Sequence, residues 1–105
     1  MSRNPDPVLI AALSGRALAQ SAHAAKIPVT VLDVFCDADT QMLAENSSCV
    51  GDMPGGIDFP RLLELADDLC PPQRCAGIVY GAGFEPDPGV LSVLSEGREL
   101  FGNRP

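Results

Sequence analysis

Short apolar runs alternate with short amphipathic stretches along this chain, and that alternation constrains the fold more than any other feature of the sequence. Residues 8–13, 28–33 and 75–80 are almost continuously apolar, as expected for strands covered on both faces. Between these runs, apolar residues recur at helical spacing. The pattern predicts parallel strands joined by helices, and therefore an α/β fold.

Glycine and proline keep these elements short, since ten of each occur among 105 residues without a collagen-like period. A chain of this length is expected to form one domain, over residues 1–105. We expect a three-layer, Rossmann-like open parallel sheet of about five strands, in the order 3-2-1-4-5. The third strand is predicted at residues 48–50, and a fifth, edge strand at residues 99–103.

Three helices are predicted between these strands. The first covers residues 16–26 and the second follows a capping residue, Asp58, up to Leu69. The third has Asp87 as its cap and Pro88 at its first helical position. The segment after the second strand, which carries Asp33 and Asp39, is expected to be an acidic loop, and residues 51–56 a turn.

The charge and the cysteines limit the partners and the compartment. Seven basic and fourteen acidic residues give a net charge of −7, which disfavours nucleic acid and anionic lipid surfaces. The longest apolar run, residues 8–13, is too short to cross a membrane. Four cysteines without a credible secretory signal predict reduced thiols and a cytoplasmic location, with a disulfide or a metal as the alternative. Their spacing lacks the paired ligands of a zinc site, so no metal is expected.

A ligand crevice is expected where the winding of such a sheet reverses, at the carboxyl ends of the first and fourth strands. Arg16, at a helix start, would hold a carboxylate or phosphate, and Glu85 would receive an amine. The alternative, without any ligand, is that Ser14 caps the helix and that Arg16 and Glu85 pair at the surface. The residues predicted to face the ligand are Ser14, Gly15, Arg16, Gly81, Gly83, Phe84 and Glu85.

No catalytic residue is predicted in the chain. A dinucleotide fingerprint would need three glycines after the first strand, but residues 14–19 contain only Gly15. Asp33 does stand near the place of a ribose-binding acid, so an NAD-dependent oxidoreductase fragment is kept as a third hypothesis. Lys26, the only lysine, lies away from the crevice, and His23, the only histidine, has no triad partners.

Two segments of the C-terminal third carry a more specific signal. Residues 81–88 have the sequence Gly-Ala-Gly-Phe-Glu-Pro-Asp-Pro, and residues 99–105 have the sequence Glu-Leu-Phe-Gly-Asn-Arg-Pro. They resemble the "gsGFE…P" strand exit and the "lLGNsP" segment of the pre-ATP-grasp domain of ATP-grasp carboxylate–amine ligases, in a carboligase-like branch. Residues 14–22 and 33–39 are similar to that branch's first loop and helix and to its acidic strand exit.

The resemblance implies the N-terminal, substrate-side domain of an ATP-dependent carboxylate–amine ligase, without activity of its own. ATP and Mg²⁺ would be held by an ATP-grasp domain that is missing here and lies in the same or a neighbouring chain, so this chain itself needs no cofactor. The implied reaction activates a carboxylate as an acylphosphate, which an amine then attacks. The expected partners are that domain and a small carboxylate or amine substrate, with a homodimer formed through Leu100 and Phe101. An autonomous small-ligand binding module of the same fold is the runner-up.

Overall fold

A four-stranded parallel sheet forms the centre of the computed structural model, which describes residues 5–101. In chain order the elements are β1 (Val8–Ala12), α1 (Arg16–Ala24), β2 (Val29–Asp33), α2 (Ala38–Leu43), β3 (Asn46–Cys49), β4 (Gly51–Asp52), β5 (Gly56–Ile57), α3 (Phe59–Leu69), β6 (Gly77–Tyr80) and α4 (Gly89–Leu94). A 3₁₀ turn, Pro72–Arg74, precedes β6.

The sheet has the strand order β3-β2-β1-β6, and every neighbouring pair is parallel. Val8 of β1 is in register with Val29 of β2 on one side and with Gly77 of β6 on the other. The small β4–β5 hairpin is antiparallel and lies outside this sheet. The predicted α/β class with a parallel sheet is therefore confirmed.

A fifth strand is not formed within the described residues. Leu100 makes a single parallel bridge to Ile78, in which the Ile78 amide donates to the Glu99 carbonyl at 2.7 Å and the Phe101 amide donates to the Ile78 carbonyl at 2.9 Å. Gly102 and Asn103, which belong to the predicted strand, lie outside the described residues. A sheet of five strands thus stays a prediction.

The two faces of the sheet carry separate hydrophobic clusters, because successive side chains of a strand point to opposite faces. Leu9 and Ala11 of β1 belong to one cluster and Ile10 to the other. Helices α3 and α4 cover the first face, with the buried side chains Leu62, Ala66, Val90 and Leu94. Helices α1 and α2 cover the second face, with Leu18, Ala19, Ala22 and Leu43.

Three local predictions were wrong. Helix α2 replaces the expected acidic loop, and its six residues are too few to show a clear apolar period. The turn predicted at residues 51–56 covers only residues 53–55, because its ends belong to the two-residue strands β4 and β5, which periodicity cannot reveal. Strand β3 begins at Asn46, ahead of the predicted residues 48–50, because pairing with β2 overrides the low strand propensity of its asparagine and serines.

Of the two predicted helix caps, the structure contains one. The Asp58 side chain accepts a hydrogen bond from the Arg61 amide at 3.2 Å, so the predicted cap of α3 is confirmed. Helix α4 begins at Gly89, after Pro88, and has no side-chain cap, so the predicted role of Asp87 was wrong. No helix within residues 5–101 is long and apolar enough to span a bilayer.

Arg98 is the buried charge that joins the ends of α3 and α4. Its guanidinium, 7% exposed as a residue, donates to the Cys70 carbonyl at 2.9 and 3.1 Å and to the Leu94 carbonyl at 2.9 Å. It also reaches the Ala66 carbonyl and the Asp67 carboxylate, each at 3.2 Å. Carbonyls at a helix C-terminus have no partner within the helix, so Arg98 supplies the donors they need.

We predict that Arg98→Met lowers the free energy of unfolding by about 2–3 kcal/mol, because it removes the guanidinium donors of the Cys70 and Leu94 carbonyls. Arg74→Met is the matched control, since Arg74 is exposed and its loss should change stability by about 0.5 kcal/mol or less. Urea unfolding of both variants measures the difference. Equal effects would show that Arg98 does not hold the two helix ends.

Candidate functional site

The loops after β1 and β6 lie side by side at the carboxyl edge of the sheet. The Gly81 amide donates to the Ala11 carbonyl at 3.0 Å, and the Leu13 amide donates to the Ala82 carbonyl at 2.8 Å. These bonds continue the parallel pairing of β1 and β6 beyond the strands themselves. The segments 14–16 and 81–85, which the sequence selected as candidate ligand loops, are therefore neighbours in space.

Asp33 ties the first of these loops to β2. Its carboxylate, 2% exposed as a residue, accepts hydrogen bonds from the Gly15 amide at 2.8 Å and from the Cys36 amide at 3.2 Å. Asp33 is the residue that the sequence placed near a ribose-binding position, and both of its carboxylate oxygens accept from backbone amides of the chain. The Gly15 amide is also one of the donors on which the predicted anion site depended.

Gly15 itself is required by the close approach of α1 to the sheet. A Cβ atom at this position would lie 2.7 Å from Cγ1 of Val31 and 3.1 Å from Cγ2 of Ile10. The first distance is shorter than real Cβ contacts, so a larger residue would push the start of α1 away from β2. Ser14 and Arg16 on either side are exposed.

Arg16 forms an ion pair with Asp39 rather than with Glu85. The distance from Nη2 of Arg16 to Oδ2 of Asp39 is 3.0 Å, and the two side chains are 51% and 63% exposed. The pairing follows from α2, which carries Asp39 in its first turn beside the start of α1. Such an exposed pair contributes only about 0–1 kcal/mol, so the Arg16 guanidinium can exchange partners.

The second loop has one buried and one exposed end. Phe84 is 4% exposed, and its ring packs against Tyr80 and Phe59 with centroids 5.9 and 5.8 Å apart. Glu85 is exposed, and its Oε1 accepts a hydrogen bond from the Gly83 amide at 3.2 Å. The Phe84 side chain therefore belongs to the core, whereas the Glu85 carboxylate is accessible.

Gly83 allows the loop to turn against the core. Its φ of 121° is a conformation that residues with a side chain rarely adopt. A Cβ there would lie 2.7 Å from Cδ1 of Ile57 and 2.9 Å from Cγ of Leu13. The glycine lets the loop after β6 contact both the segment after β1 and the β4–β5 hairpin.

A cavity of about 250 Å³ lies between this loop and the hairpin. Gly83 and Glu85 line it, whereas Ser14, Gly15, Arg16, Gly81 and Phe84 do not. The remaining walls are Leu13, Pro86, Phe59 and the hairpin residues 53–57. The sequence did not reveal the contribution of the hairpin, because the glycines and the proline of residues 51–56 indicate a turn without indicating what it faces.

A second, more polar cavity of about 260 Å³ lies at the ends of β2 and β3. It is lined by Asp33, Cys36, Thr40, Gln41, Ser47, Ser48 and Cys49. The predicted ligand-facing residues are thus divided in the structure. Gly83 and Glu85 line the first cavity, while Gly15 contacts Asp33, a wall of the second.

Cys36 and Cys49 form a disulfide at the wall of the second cavity, so the expectation of four reduced thiols was wrong. The register pairs Asp33 of β2 with Cys49 of β3, and the chain turns after Asp33 so that the Cα atoms of the two cysteines lie 5.7 Å apart. Cys49 is exposed. A disulfide is typical of an oxidising compartment, whereas the cytoplasmic location stays a prediction.

Comparison of the chain with protein-family models, with curated proteins and with solved structures gives no match. Within residues 5–101, no three histidine, cysteine or acidic side chains are grouped as ligands of a metal ion. The exposed charged side chains at the carboxyl edge include Arg16, its partner Asp39, and Glu85, and two small cavities lie beside them.

We predict that Asp33→Asn lowers the free energy of unfolding by about 1–3 kcal/mol, because one amide hydrogen loses a carboxylate acceptor in a buried place. Hydrogen exchange at the Gly15 and Cys36 amides should accelerate in the same variant. Asp39→Asn is the control, since it removes only the exposed pair with Arg16 and should cost about 0–1 kcal/mol. Unchanged exchange at Gly15 in Asp33→Asn would contradict the role of the carboxylate.

Proposed function

We propose that the chain is the N-terminal, substrate-side domain of an ATP-dependent carboxylate–amine ligase of the ATP-grasp type, and that it is not catalytic alone. The resemblance of residues 81–88 and 99–105 to segments of such domains supports the proposal. The parallel α/β sheet supports it further, because the first of these segments forms the loop after β6, at the edge where such sheets bind ligands.

The observation that carries the proposal is the exposed Glu85 carboxylate at the wall of the 250 Å³ cavity. A carboxylate in this place binds a protonated amine by a charge-assisted hydrogen bond. Leu13, Ile57 and Phe59 give the same cavity apolar walls, which suit the carbon skeleton of a small substrate. Glu85 therefore receives the amine, and the apolar walls orient the rest of the molecule.

Arg16 is the proposed contact for a substrate carboxylate. It lies at the first residue of α1, where the guanidinium and the amino end of the helix favour an anion together. Its pair with Asp39 is exposed and weak, so a substrate carboxylate can replace Asp39. The proposed substrate thus carries an ammonium group, a carboxylate or both.

The remaining parts of the reaction belong to the proposed partner, an ATP-grasp domain in the same or a neighbouring chain. That domain would hold ATP and Mg²⁺ and form the acylphosphate. This chain would position the substrate beside it, in a cytoplasmic enzyme. Its own negative charge and single lysine make it a poor binder of a triphosphate.

An autonomous small-ligand binding module is the second candidate, and one observation favours it. The β4–β5 hairpin of the chain itself closes the cavity at Glu85, so no other domain is needed to line that wall. The NAD-dependent alternative gains no such support, since both oxygens of Asp33 already accept hydrogen bonds from amides of the chain.

We predict that glutamate, which carries both an ammonium and carboxylates, shifts the amide resonances of Gly83 and Arg16 in the isolated chain. Glu85→Gln should weaken binding about tenfold, because a hydrogen bond to a charged group contributes about 1.5 kcal/mol. Glu96→Gln, which removes an exposed acid beyond α4, is the control and should bind as the original chain does.

Three outcomes separate the candidates. Formation of ADP by the chain alone, from ATP with any carboxylate and amine pair, would contradict the proposal of a non-catalytic domain. Tight binding of a small molecule without ATP or a partner domain would favour the autonomous module. The absence of shifts with any small amine or carboxylate would contradict the assignment of Glu85 and Arg16.

We also propose that the bridge at Leu100 begins a fifth, edge strand, which would complete the order 3-2-1-4-5, and that two chains associate through this edge. Leu100 and Phe101 are only half-buried there, and a sheet edge with apolar side chains favours pairing. Leu100→Lys should shift sedimentation at high concentration toward the monomer. A profile that is strictly monomeric in the unmodified chain would contradict the homodimer.

A further inference from the structure

Two free thiols lie at the amino edge of the sheet, away from the candidate site. Cys70 follows the last residue of α3, and Cys75 lies two residues before β6. Between them, the 3₁₀ turn Pro72–Arg74 reverses the chain, with the Arg74 amide donating to the Pro71 carbonyl at 2.8 Å. The tight turn returns Cys75 to the neighbourhood of Cys70.

Both cysteines are anchored to the segment that leads into β1. The Cys70 thiol lies 3.8 Å from the Pro7 carbonyl, and the Ala76 amide, next to Cys75, donates to the same carbonyl at 2.9 Å. The Cys75 sulfur lies 3.1 Å from the Gly77 carbonyl oxygen. Both cysteines therefore border the Pro7 carbonyl, and Cys70 is buried whereas Cys75 is half-buried.

A buried positive charge lies beside this pair. The Arg98 guanidinium donates twice to the Cys70 carbonyl, and its carboxylate partner, Asp67, has a side chain that is 73% exposed. Solvent therefore weakens the neutralisation of Arg98 by Asp67. A thiolate in the pair adds a negative charge that is better shielded from water than the Asp67 carboxylate.

The same surroundings make the two thiols unequal. The hydrogen bond from the Cys70 thiol lowers the pKa of Cys75 to about 6, helped by the backbone of Gly77 and Leu9 and by the charge of Arg98, and opposed by burial. That hydrogen bond to Cys75, together with burial, raises the pKa of Cys70. Cys75 is thus the thiolate and Cys70 the protonated thiol at neutral pH.

We propose that Cys70 and Cys75 form a redox-active dithiol site that exchanges with low-molecular-weight disulfides of the glutathione type. Cys75, the more accessible sulfur, attacks the disulfide, and Cys70, the buried sulfur, resolves the product. The roles follow from the unequal access of the two cysteines, which flank the 3₁₀ turn.

The exchange takes place in two balanced steps. The Cys75 thiolate forms a bond to one sulfur of oxidised glutathione, the glutathione S–S bond breaks, and one glutathione thiolate leaves. That thiolate takes the proton of Cys70, whose sulfur then attacks Cys75 and releases the second glutathione as a thiolate. The two cysteines are oxidised by two electrons to a disulfide, and oxidised glutathione is reduced to one glutathione thiol and one glutathione thiolate, which takes its proton from water.

Treatment of the folded chain with oxidised glutathione, followed by iodoacetamide and peptide mass mapping, tests the proposal. We expect Cys70 and Cys75 to lose alkylation together and an internal disulfide to join them. In Cys70→Ser, Cys75 should remain as a mixed disulfide with one glutathione. In Cys75→Ser, the reaction of Cys70 should slow at least tenfold. The double variant Cys36→Ser with Cys49→Ser is the control and should keep the exchange.

Two results would overturn the proposal. The first is a stable mixed disulfide at Cys75 in the original chain, with Cys70 still open to alkylation, since Cys70 would then be unable to reach Cys75. The second concerns the pH dependence of the alkylation of Cys75. In the original chain the alkylation rate should rise with pH to a plateau, with a midpoint near pH 6, and in Cys70→Ala this midpoint should lie at a higher pH. A midpoint near the ordinary thiol value of about 8.5 in the original chain would show that Cys75 is not the attacking sulfur.

Discussion

The central strand β1 can bury both of its faces only because a parallel neighbour is hydrogen-bonded along each of its edges. Leu9, Ile10 and Ala11 are at most 1% exposed, so no water reaches their backbone groups. Each group left unpaired would cost about 1–3 kcal/mol. Parallel pairing requires connections that cross back over the sheet. It therefore also brings the loops after β1 and β6 to one edge, whatever their own sequences are.

The two edges of the sheet need opposite charges. At the carboxyl edge the amides of turns and helix starts lack acceptors, and the buried Asp33 carboxylate accepts from two of them. At the ends of α3 and α4 the buried Arg98 guanidinium donates to the Cys70 and Leu94 carbonyls. Asp33 and Arg98 are thus buried for the same reason. Peptide N–H groups point outward at one end of these elements and need an acceptor, whereas peptide carbonyls point outward at the other end and need a donor.

The sequence is sufficient to predict elements that rest on local signals. The apolar runs predicted β1, β2 and β6, and the Asp58 cap predicted the start of α3, because each depends on residues close together in the chain. Helix α2 and the β4–β5 hairpin were missed because elements of six and two residues show no clear period. The Cys36–Cys49 disulfide was missed because it depends on a contact between residues distant in the chain. For the same reason the loops of the candidate site could be selected, whereas the partner of Arg16 and the hairpin wall of the cavity could not.

Strand β3 is polar along its length, with the sequence Asn-Ser-Ser-Cys from Asn46 to Cys49, and it occupies one outer edge of the sheet. A polar, four-residue edge is a poor template for another chain. Growth of the sheet by addition of further strands is therefore blocked on that side. The proposed homodimer would use the opposite edge of both chains at once, so such an assembly would close at two chains and would not extend into a filament.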